Sequence, residues 1–502
     1  MAAFLRSIPL TDWYDPADAF DRLYAGARHV FWLDAGPGAE TGASYLGAAS
    51  ERSRMVSASL RAGTVTVTVP EDPRVPAATV KSDVLDFLRA ELTDTDAAVR
   101  AEHSTEPGVG PGGGFQLGWV GWLGYEIGAR LLGTAAHPSR YPDAALLEAD
   151  RMLAFDHAAR TVTLLARERP GETDEVDRWV ASVVHRLAQG GGGPTGRTPV
   201  DEVGGRSRSA PRSAVRPAEA TWRHDESSYR VLIERCQDAI RRGDAYQLCL
   251  TNEIRVDAAP DPVETYHALR NSSPSHHGGL LRFGDTALLS ASPEQFLTIA
   301  PGGAITTKPI KGTRPRDGDA ARDSLHRAEL VASEKERAEN LMIVDLMRND
   351  LGRIAELGSV AVSDLLAVES YAQVHQLVST VEAKLRPGVS AVDAVAACFP
   401  AGSMTGAPKI SAMGILDGLE AGPRGIYSGV FGYFGLDGAA DLAMVIRSIV
   451  LDPGGASIGT GGGITALSET GDEVEETRIK AAALLAVLGV SCETRQMTPR
   501  PV

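Results

Sequence analysis

Pro309-Ile310-Lys311-Gly312-Thr313-Arg314-Pro315-Arg316 is the stretch on which the reading of this chain turns. Its lysine sits between an extended apolar approach, Ala304 to Thr307, and a Gly-Thr turn. The two prolines stiffen the backbone on either side. A lysine held in place and desolvated loses its proton near neutral pH and becomes a nucleophile. A surface turn carrying basic residues accounts for the same letters. The segments downstream decide between the two.

The first of these is a carboxylate array. Leu330 to Asp345 is helical by composition, and its Glu336 and Glu339 share a face. Asp472 to Lys480 repeats the arrangement with Glu473 and Glu476, and Lys480 lies one turn beyond. One such helix is ordinarily a solvated surface. Two of them, each beside a glycine-rich or basic motif, are able to face each other across a site. Oxygen ligands without clustered His or Cys suit Mg²⁺.

Three further motifs are rich in glycine. Ile458-Gly459-Thr460-Gly461-Gly462-Gly463-Ile464 reads as a loop whose backbone N–H groups approach an anion, or as a plain strand-to-helix turn. It is not a Walker A loop. Gly402 to Lys409, with Thr405 and Gly406, is another such turn, and Pro408 suits the first turn of the helix that follows. Tyr427 to Gly435 leads into the apolar run Leu442 to Val450, which reads as a strand interrupted by Arg447 and Ser448. An arginine there needs an anion, either a structural carboxylate or a substrate carboxylate. Glu294, between apolar segments, has the setting that raises a carboxyl pKa. His375 alternates with apolar neighbours, as core histidines do.

The rest of the chain frames these motifs. Residues 1–188 form one lobe, in which Thr64 to Val69 has the period of a strand and Ser82 caps a helix with Val84, Leu85, Leu88 and Leu92 on its apolar face. Thr161 to Leu165 is a further strand, and Trp119, Trp122 and Tyr125 suit aromatic strand packing. Residues 189–218 read as a flexible linker and 219–502 as the second lobe. The 502 residues carry a net charge of −15, which argues against a nucleic-acid partner and requires a local basic pocket or a bound cation for an anionic substrate. Four cysteines without a C-x-x-C pair read as free thiols of a reducing compartment. The sequence shows no signal peptide and no membrane-spanning run, so the expected location is the cytoplasm.

Taken together, the motifs from 225 to 490 resemble, in family order, those of the chorismate-utilising enzymes: anthranilate, aminodeoxychorismate, isochorismate and salicylate synthases. Ser44 to Gly47 and Gly121 to Glu126 extend the resemblance weakly into the first lobe. It implies an α/β fold of the α+β type, a two-lobed sandwich of large antiparallel sheets with helices outside and the active site between the sheets. It also implies chorismate as substrate and Mg²⁺ as cofactor. Glu339 and Glu476 match the metal ligands, with Glu336 and Glu473 their neighbours in the metal's shell. Tyr427, Arg447, Gly461, Gly462, Gly463 and Lys480 match the groups that hold the substrate carboxylates, and Thr313, Thr405 and Gly406 join the substrate site. Glu294 matches the general acid for the C4 hydroxyl, and His375 the histidine near the reacting ring.

Two positions separate the branches. Gln247 stands where the water-activating enzymes have a lysine, which implies ammonia as the incoming group. Lys311 stands where anthranilate synthases have a small residue, and Pro-Ile-Lys-Gly-Thr is the pattern of the aminodeoxychorismate branch. There the lysine is thought to attack C2 before ammonia adds at C4, giving the precursor of p-aminobenzoate for folate or a secondary metabolite. No cysteine has the setting of a glutaminase nucleophile, so a separate glutamine amidotransferase is expected to supply the ammonia. Anthranilate synthase is the close alternative, and a non-catalytic relative that binds chorismate or an amino acid the distant one. Some relatives bind tryptophan in the first lobe; the matching region here is Phe31 to Gly36, where Asp34 stands near their serine, and Ser139 to Pro142 resemble the other wall of that pocket.

Overall fold

Strands that are apolar on both faces need cover on both, and here two antiparallel sheets lie against each other to provide it. The computed structural model describes residues 3–103, 114–189, 218–371 and 374–490. Most of the expected linker, the Pro107 loop and Cys492 lie outside these residues. Among the described residues are two sheets of twelve strands each. The first runs in the order Phe4–Pro9, Thr161–Glu168, Arg151–Asp156, Ala43–Ala48, His29–Asp34, His277–Phe283, Thr286–Ser292, Ser448–Asp452, Gly455–Ile464, Gln247–Val256 and Ala220–Trp222. Gly406–Ala407 pairs with Gln247–Val256 beside it. The second runs Ile310–Pro315, Val374–Lys384, Ala304–Thr307, Gln295–Ile299, Ala440–Met444, Val430–Gly435, Gly118–Leu123, Ala144–Ala149, Met55–Ser59, Thr64–Thr68 and Ala78–Lys81, with Ala361–Ser370 paired to Val374–Lys384.

Both sheets draw on both halves of the sequence. His29–Asp34 pairs with His277–Phe283, and Gly118–Leu123 pairs with Val430–Gly435. The lobes 1–188 and 219–502 are therefore divisions of the sequence that each sheet crosses. The core between the sheets takes Phe31, Leu33 and Tyr45 from one and Trp119, Trp122 and Phe431 from the other. Trp122 stacks on Phe283 across the interface with ring centroids 5.1 Å apart, the aromatic packing that the sequence suggests. Helices Pro16–Leu23, Thr173–Ala188, Pro262–Ser272 and Thr470–Val487 contribute to a second apolar cluster against the first sheet, with Phe20, Val183, Leu269 and Ala481 among its members.

Four local readings change. The helix expected over 330–345 is two, Ala320–Ala332 and Glu334–Gly352. Ser333 is extended between them, and its hydroxyl accepts the Glu336 N–H at 3.4 Å. The Ser-x-x-Glu spacing of a helix start was present in the sequence. Asp83 rather than Ser82 receives the Leu85 N–H at the start of Val84–His103, at 2.8 Å. The run 442–450 is broken, with strands at Ala440–Met444 and Ser448–Asp452 in different sheets. The glycines 461–463 lie within the strand Gly455–Ile464 and form no loop.

Candidate active site

Two adjacent crossovers between the sheets carry the first pair of candidate groups. The chain leaves the first sheet at Ser292 and joins the second at Gln295; nearby it leaves the second at Met444 and rejoins the first at Ser448. The crossovers are stitched together, because Met444 N–H donates to the Glu294 carbonyl at 3.0 Å and Ala291 N–H to the Arg447 carbonyl at 3.2 Å. Glu294 and Arg447 thus sit side by side where regular pairing stops. Arg447 has φ +51°, a left-handed conformation that a non-glycine residue seldom adopts. Its side chain reaches solvent, yet surrounding protein crowds it. Desolvation lowers its guanidinium pKa, with Tyr427 and Glu476 opposing. Among the described residues no carboxylate forms an ion pair with it. The structural-carboxylate reading therefore fails, and the guanidinium is available to an anion.

Glu294 is buried, and burial pushes its carboxyl up to about 7 against the opposing influence of Lys311, Ser403, Lys480 and the Ile310 N–H. A carboxyl so placed is protonated over much of the neutral range and is able to donate. Lys311 lies in the strand Ile310–Pro315, with Thr313 exposed on the same strand. Gly312, at φ +80°, leaves no room for a Cβ, which would stand 2.7 Å from Leu330 and 3.0 Å from Glu336. The lysine is therefore pinned against the start of the helix Glu334–Gly352. Its Nζ stands 3.6 Å from Glu339 Oε2. The expected fall in its pKa is not met. Burial pulls it down, but Glu339, Cys249, Glu294 and Glu476 outweigh burial and raise it.

The four glutamates come from the two predicted helices, Glu334–Gly352 and Thr470–Val487. The glycine strand is the floor beneath them. A Cβ on Gly462 would stand 3.0 Å from Glu473 Oε2 and 3.8 Å from Glu476 Oε1, and one on Gly463 would meet the Gln247 amide and stand 3.5 Å from Glu339 Oε2. Tyr427 lies across Gly459 in the same way, and Gly461 faces the backbone of Leu250. Each glutamate has a cation. Lys480 Nζ is 2.7 Å from Glu476 and 2.8 Å from the Gly461 carbonyl, Lys335 Nζ is 3.0 Å from Glu473, and Arg314 is 3.8 Å from Glu336. Burial raises Glu339, only partly offset by Lys311 and Lys335, whereas Lys480 and other lysines hold Glu476 below its ordinary value despite burial.

These donors fit a divalent cation. They are hard oxygens, and Glu473 Oε2 is buried without a hydrogen-bond partner. With the side chains as they stand, no three His, Cys, Asp or Glu among the described residues converge on one ion. The lysines occupy the carboxylates instead.

The remaining candidates fall at different distances from this centre. Gln247 is fully enclosed and its Oε1 has no partner. Thr405 turns its hydroxyl back to the carbonyls of Ala401 and Gly402 at 3.2 and 3.4 Å, while its own carbonyl takes the Cys249 N–H, and Gly406 pairs with Leu248. Both shape the wall beside Gln247. His375 is buried between Ser370 Oγ at 2.8 Å and Asp323 Oδ1 at 2.9 Å, so both ring nitrogens are occupied. Asp323 also holds Arg316. Asp34 is buried on Arg270 and Tyr266, at 2.6 and 3.1 Å, so that its charge is answered within the fold.

Sequence reasoning passed over two features. Lys335 looked like one charge in a solvated helix. Arg424 is buried on Glu420 and donates to the carbonyls of Met404 and Cys249, at 2.6 and 2.8 Å. It ties the turn bearing Ser403 to the strand bearing Gln247, three residues before Tyr427. Glu126 receives the N–H groups of Arg424 and Gly425. The sequence signal was a lone arginine after Gly-Pro, which says nothing about burial.

A fold of two large antiparallel sheets with this cleft defines a class, and residues 44–486 match the model of the chorismate binding enzyme family. The chain belongs to that family. It is 46% identical over 498 residues to an aminodeoxychorismate synthase of Streptomyces griseus, covering 98% of this chain and 65% of that protein. A second aminodeoxychorismate synthase, from Streptomyces pristinaespiralis, is 42% identical, with 94% and 64% covered. The chain thus spans less than two thirds of the length of both. Anthranilate synthase component 1 of Mycobacterium tuberculosis is 36% identical, with 98% of this chain and 94% of that one covered. Among solved structures, anthranilate synthase component I of Streptococcus pneumoniae superposes with a TM-score of 0.69 at 26% identity, covering 96% of this chain and 99% of that one.

Proposed function

We propose that the protein is the chorismate-converting part of an aminodeoxychorismate synthase, joining chorismate and ammonia to give 4-amino-4-deoxychorismate and water. The observation that carries this is Lys311 pinned in the cleft beside a Glu294 whose carboxyl is raised to about 7. The family match and the two Streptomyces relatives support the same reading.

Arg447 and Lys480, with Tyr427, anchor the substrate's carboxylates over the glycine floor. The Lys311 ammonium, whose pKa the neighbouring carboxylates raise, first loses a proton to water, and the neutral amine adds to C2 of the ring, becoming a secondary ammonium. The ring double bonds shift, and the C4 hydroxyl departs as water with the proton from Glu294. Ammonia then adds at C4 and passes a proton back to Glu294, the double bonds shift back, and the C2–N bond breaks with its electron pair returning to Lys311 as the neutral amine. Gln247, walled in and not basic, leaves water without a general base at that position. Glu339 and Glu476 would hold Mg²⁺, with Glu336 and Glu473 around it; the ion would supply charge neutralisation for the substrate's carboxylate. Ammonia comes from a separate glutamine amidotransferase; among the described residues the cysteines, Cys236, Cys249 and Cys398, are buried thiols whose pKa values burial raises, which does not suit a glutaminase nucleophile. Free buried thiols suit the cytoplasm, and among the described residues no helix is long and apolar enough to cross a membrane.

Purified protein given chorismate, Mg²⁺ and ammonium, followed by an aminodeoxychorismate lyase, should yield p-aminobenzoate. Lys311→Ala should lower that yield by about 100-fold or more while the fold persists. Anthranilate or isochorismate as the main product would overturn the assignment, and an undiminished Lys311→Ala rate would remove the covalent step.

A further inference from the structure

Glu473 is enclosed, at 1% exposure, and its two oxygens are treated unequally. Oε1 accepts from Lys335 Nζ at 3.0 Å; Oε2 has no hydrogen-bond partner. A buried carboxylate with one bare oxygen is costly unless something else answers it. Lys335 approaches from the first turn of the helix Glu334–Gly352, and 38% of its side chain remains exposed.

The other two lysines of the cluster are more firmly held. Lys480 is shared between Glu476 and the Gly461 carbonyl. The Lys311 side chain is 15% exposed and lies in the strand that Gly312 presses against the helix. Lys335 has Glu473 as its one hydrogen-bond partner among the described residues, a flexible stem and open solvent beside it. Of the three ammonium groups it is the one that leaves at least cost.

We propose that Lys335 is the resident counter-ion of the carboxylate cluster, and that a divalent cation displaces it from Glu473 on binding. The proposal rests on the reading of Glu339, Glu473 and Glu476 as a cation site. No covalent bond changes: the ammonium swings into water, and the charge of the bound ion answers the Glu473 carboxylate, with its bare Oε2, in its place. Lys335 thereby sets the affinity of the site, and keeps the cluster charge-balanced when no ion is bound.

The test is calorimetric titration of the full chain with Mg²⁺ alone, at fixed ionic strength and without substrate. Lys335→Met keeps the stem and removes the competing charge, and should tighten binding by about tenfold, equivalent to ~1.4 kcal/mol. Lys335→Arg, whose planar fork grips a carboxylate more firmly, should weaken it. Unchanged or weaker binding in Lys335→Met would overturn the proposal. Should that variant fail to fold by circular dichroism, Lys335→Arg decides alone, and binding as tight as wild type or tighter would overturn it. Glu339→Gln separates the two readings. If it binds Mg²⁺ as the wild type does, or if the wild type binds none, the cation site itself is refuted; if it loses binding while Lys335→Met is unchanged, only the role of Lys335 is.

Discussion

At the scale of residues, two buried glutamates carry pKa values pushed up to about 7 and have opposite uses. Glu294 lies in the cleft, and under the proposed mechanism its protonated carboxyl is the working form. Turnover should therefore fall as pH rises through about 7, and Glu294→Gln should be slow at every pH; a rate that keeps rising to pH 9 in the wild type would contradict a general acid there. Glu126 is away from the cleft and braces the Arg424 turn. Its folded pKa is raised above the unfolded value, so the stability it confers is present at low pH and declines between about 4.5 and 7. Glu126→Gln should remove that decline, an advantage on the order of 3 kcal/mol by pH 8 and absent at pH 4, measurable by urea titration at both values. The sequence was legible here in type but not in pairing. A glutamate between apolar segments and an arginine in an apolar run were visible as candidates. That Lys311 stands against Glu339, Lys335 against Glu473, and Arg447 without an ion-paired carboxylate among the described residues depends on which segments the fold brings together, and no local spacing encodes that.

At the scale of elements, the glycine strand Gly455–Ile464 and the helix break at Ser333 do the positioning. Read as a loop, the glycines suggested N–H groups cradling an anion. In the sheet the glycines pair in register with Gln247–Val256, alternate N–H groups facing that neighbour, and what glycine contributes is absence of side chain: a floor low enough for Tyr427, Gln247 and the glutamates to lie on. Gly463→Ala would press a methyl group on the Gln247 amide, which yields by rotation. It should cost activity about tenfold with a small loss of stability. Gly461→Ala would press on the Leu250 carbonyl of the neighbouring strand, which yields only if the ladder opens, and should lower the melting temperature by far more. Equal melting temperatures for the two variants would contradict this account. The loop reading failed because glycine runs look alike in turns and in strands that another group must approach closely. The break at Ser333 was legible, since a serine three residues before Glu336 marks a helix start, but helical composition on both sides masked it.

At the scale of the whole molecule, the sandwich was legible from the family resemblance, whereas the interleaving of its halves was not, because composition along a chain does not report which strands are neighbours. Residues 219–502 produced alone would expose the edges of His277–Phe283 and Val430–Gly435. They should aggregate, and co-production with 1–188 should recover a soluble complex on gel filtration; a soluble, monomeric, cooperatively unfolding 219–502 fragment would refute the interdependence. The same pairing has a consequence during translation. Gly118–Leu123 waits for a partner encoded roughly 300 residues later, which at a synthesis rate of about 5–20 residues per second is about 15–60 s. In that interval a strand bearing Trp119 and Trp122 has no Val430–Gly435 beside it. A nascent chain of this protein is therefore a substrate for whatever holds unfinished polypeptides apart, and its yield in a cell is set as much by that protection as by the stability of the finished sheets.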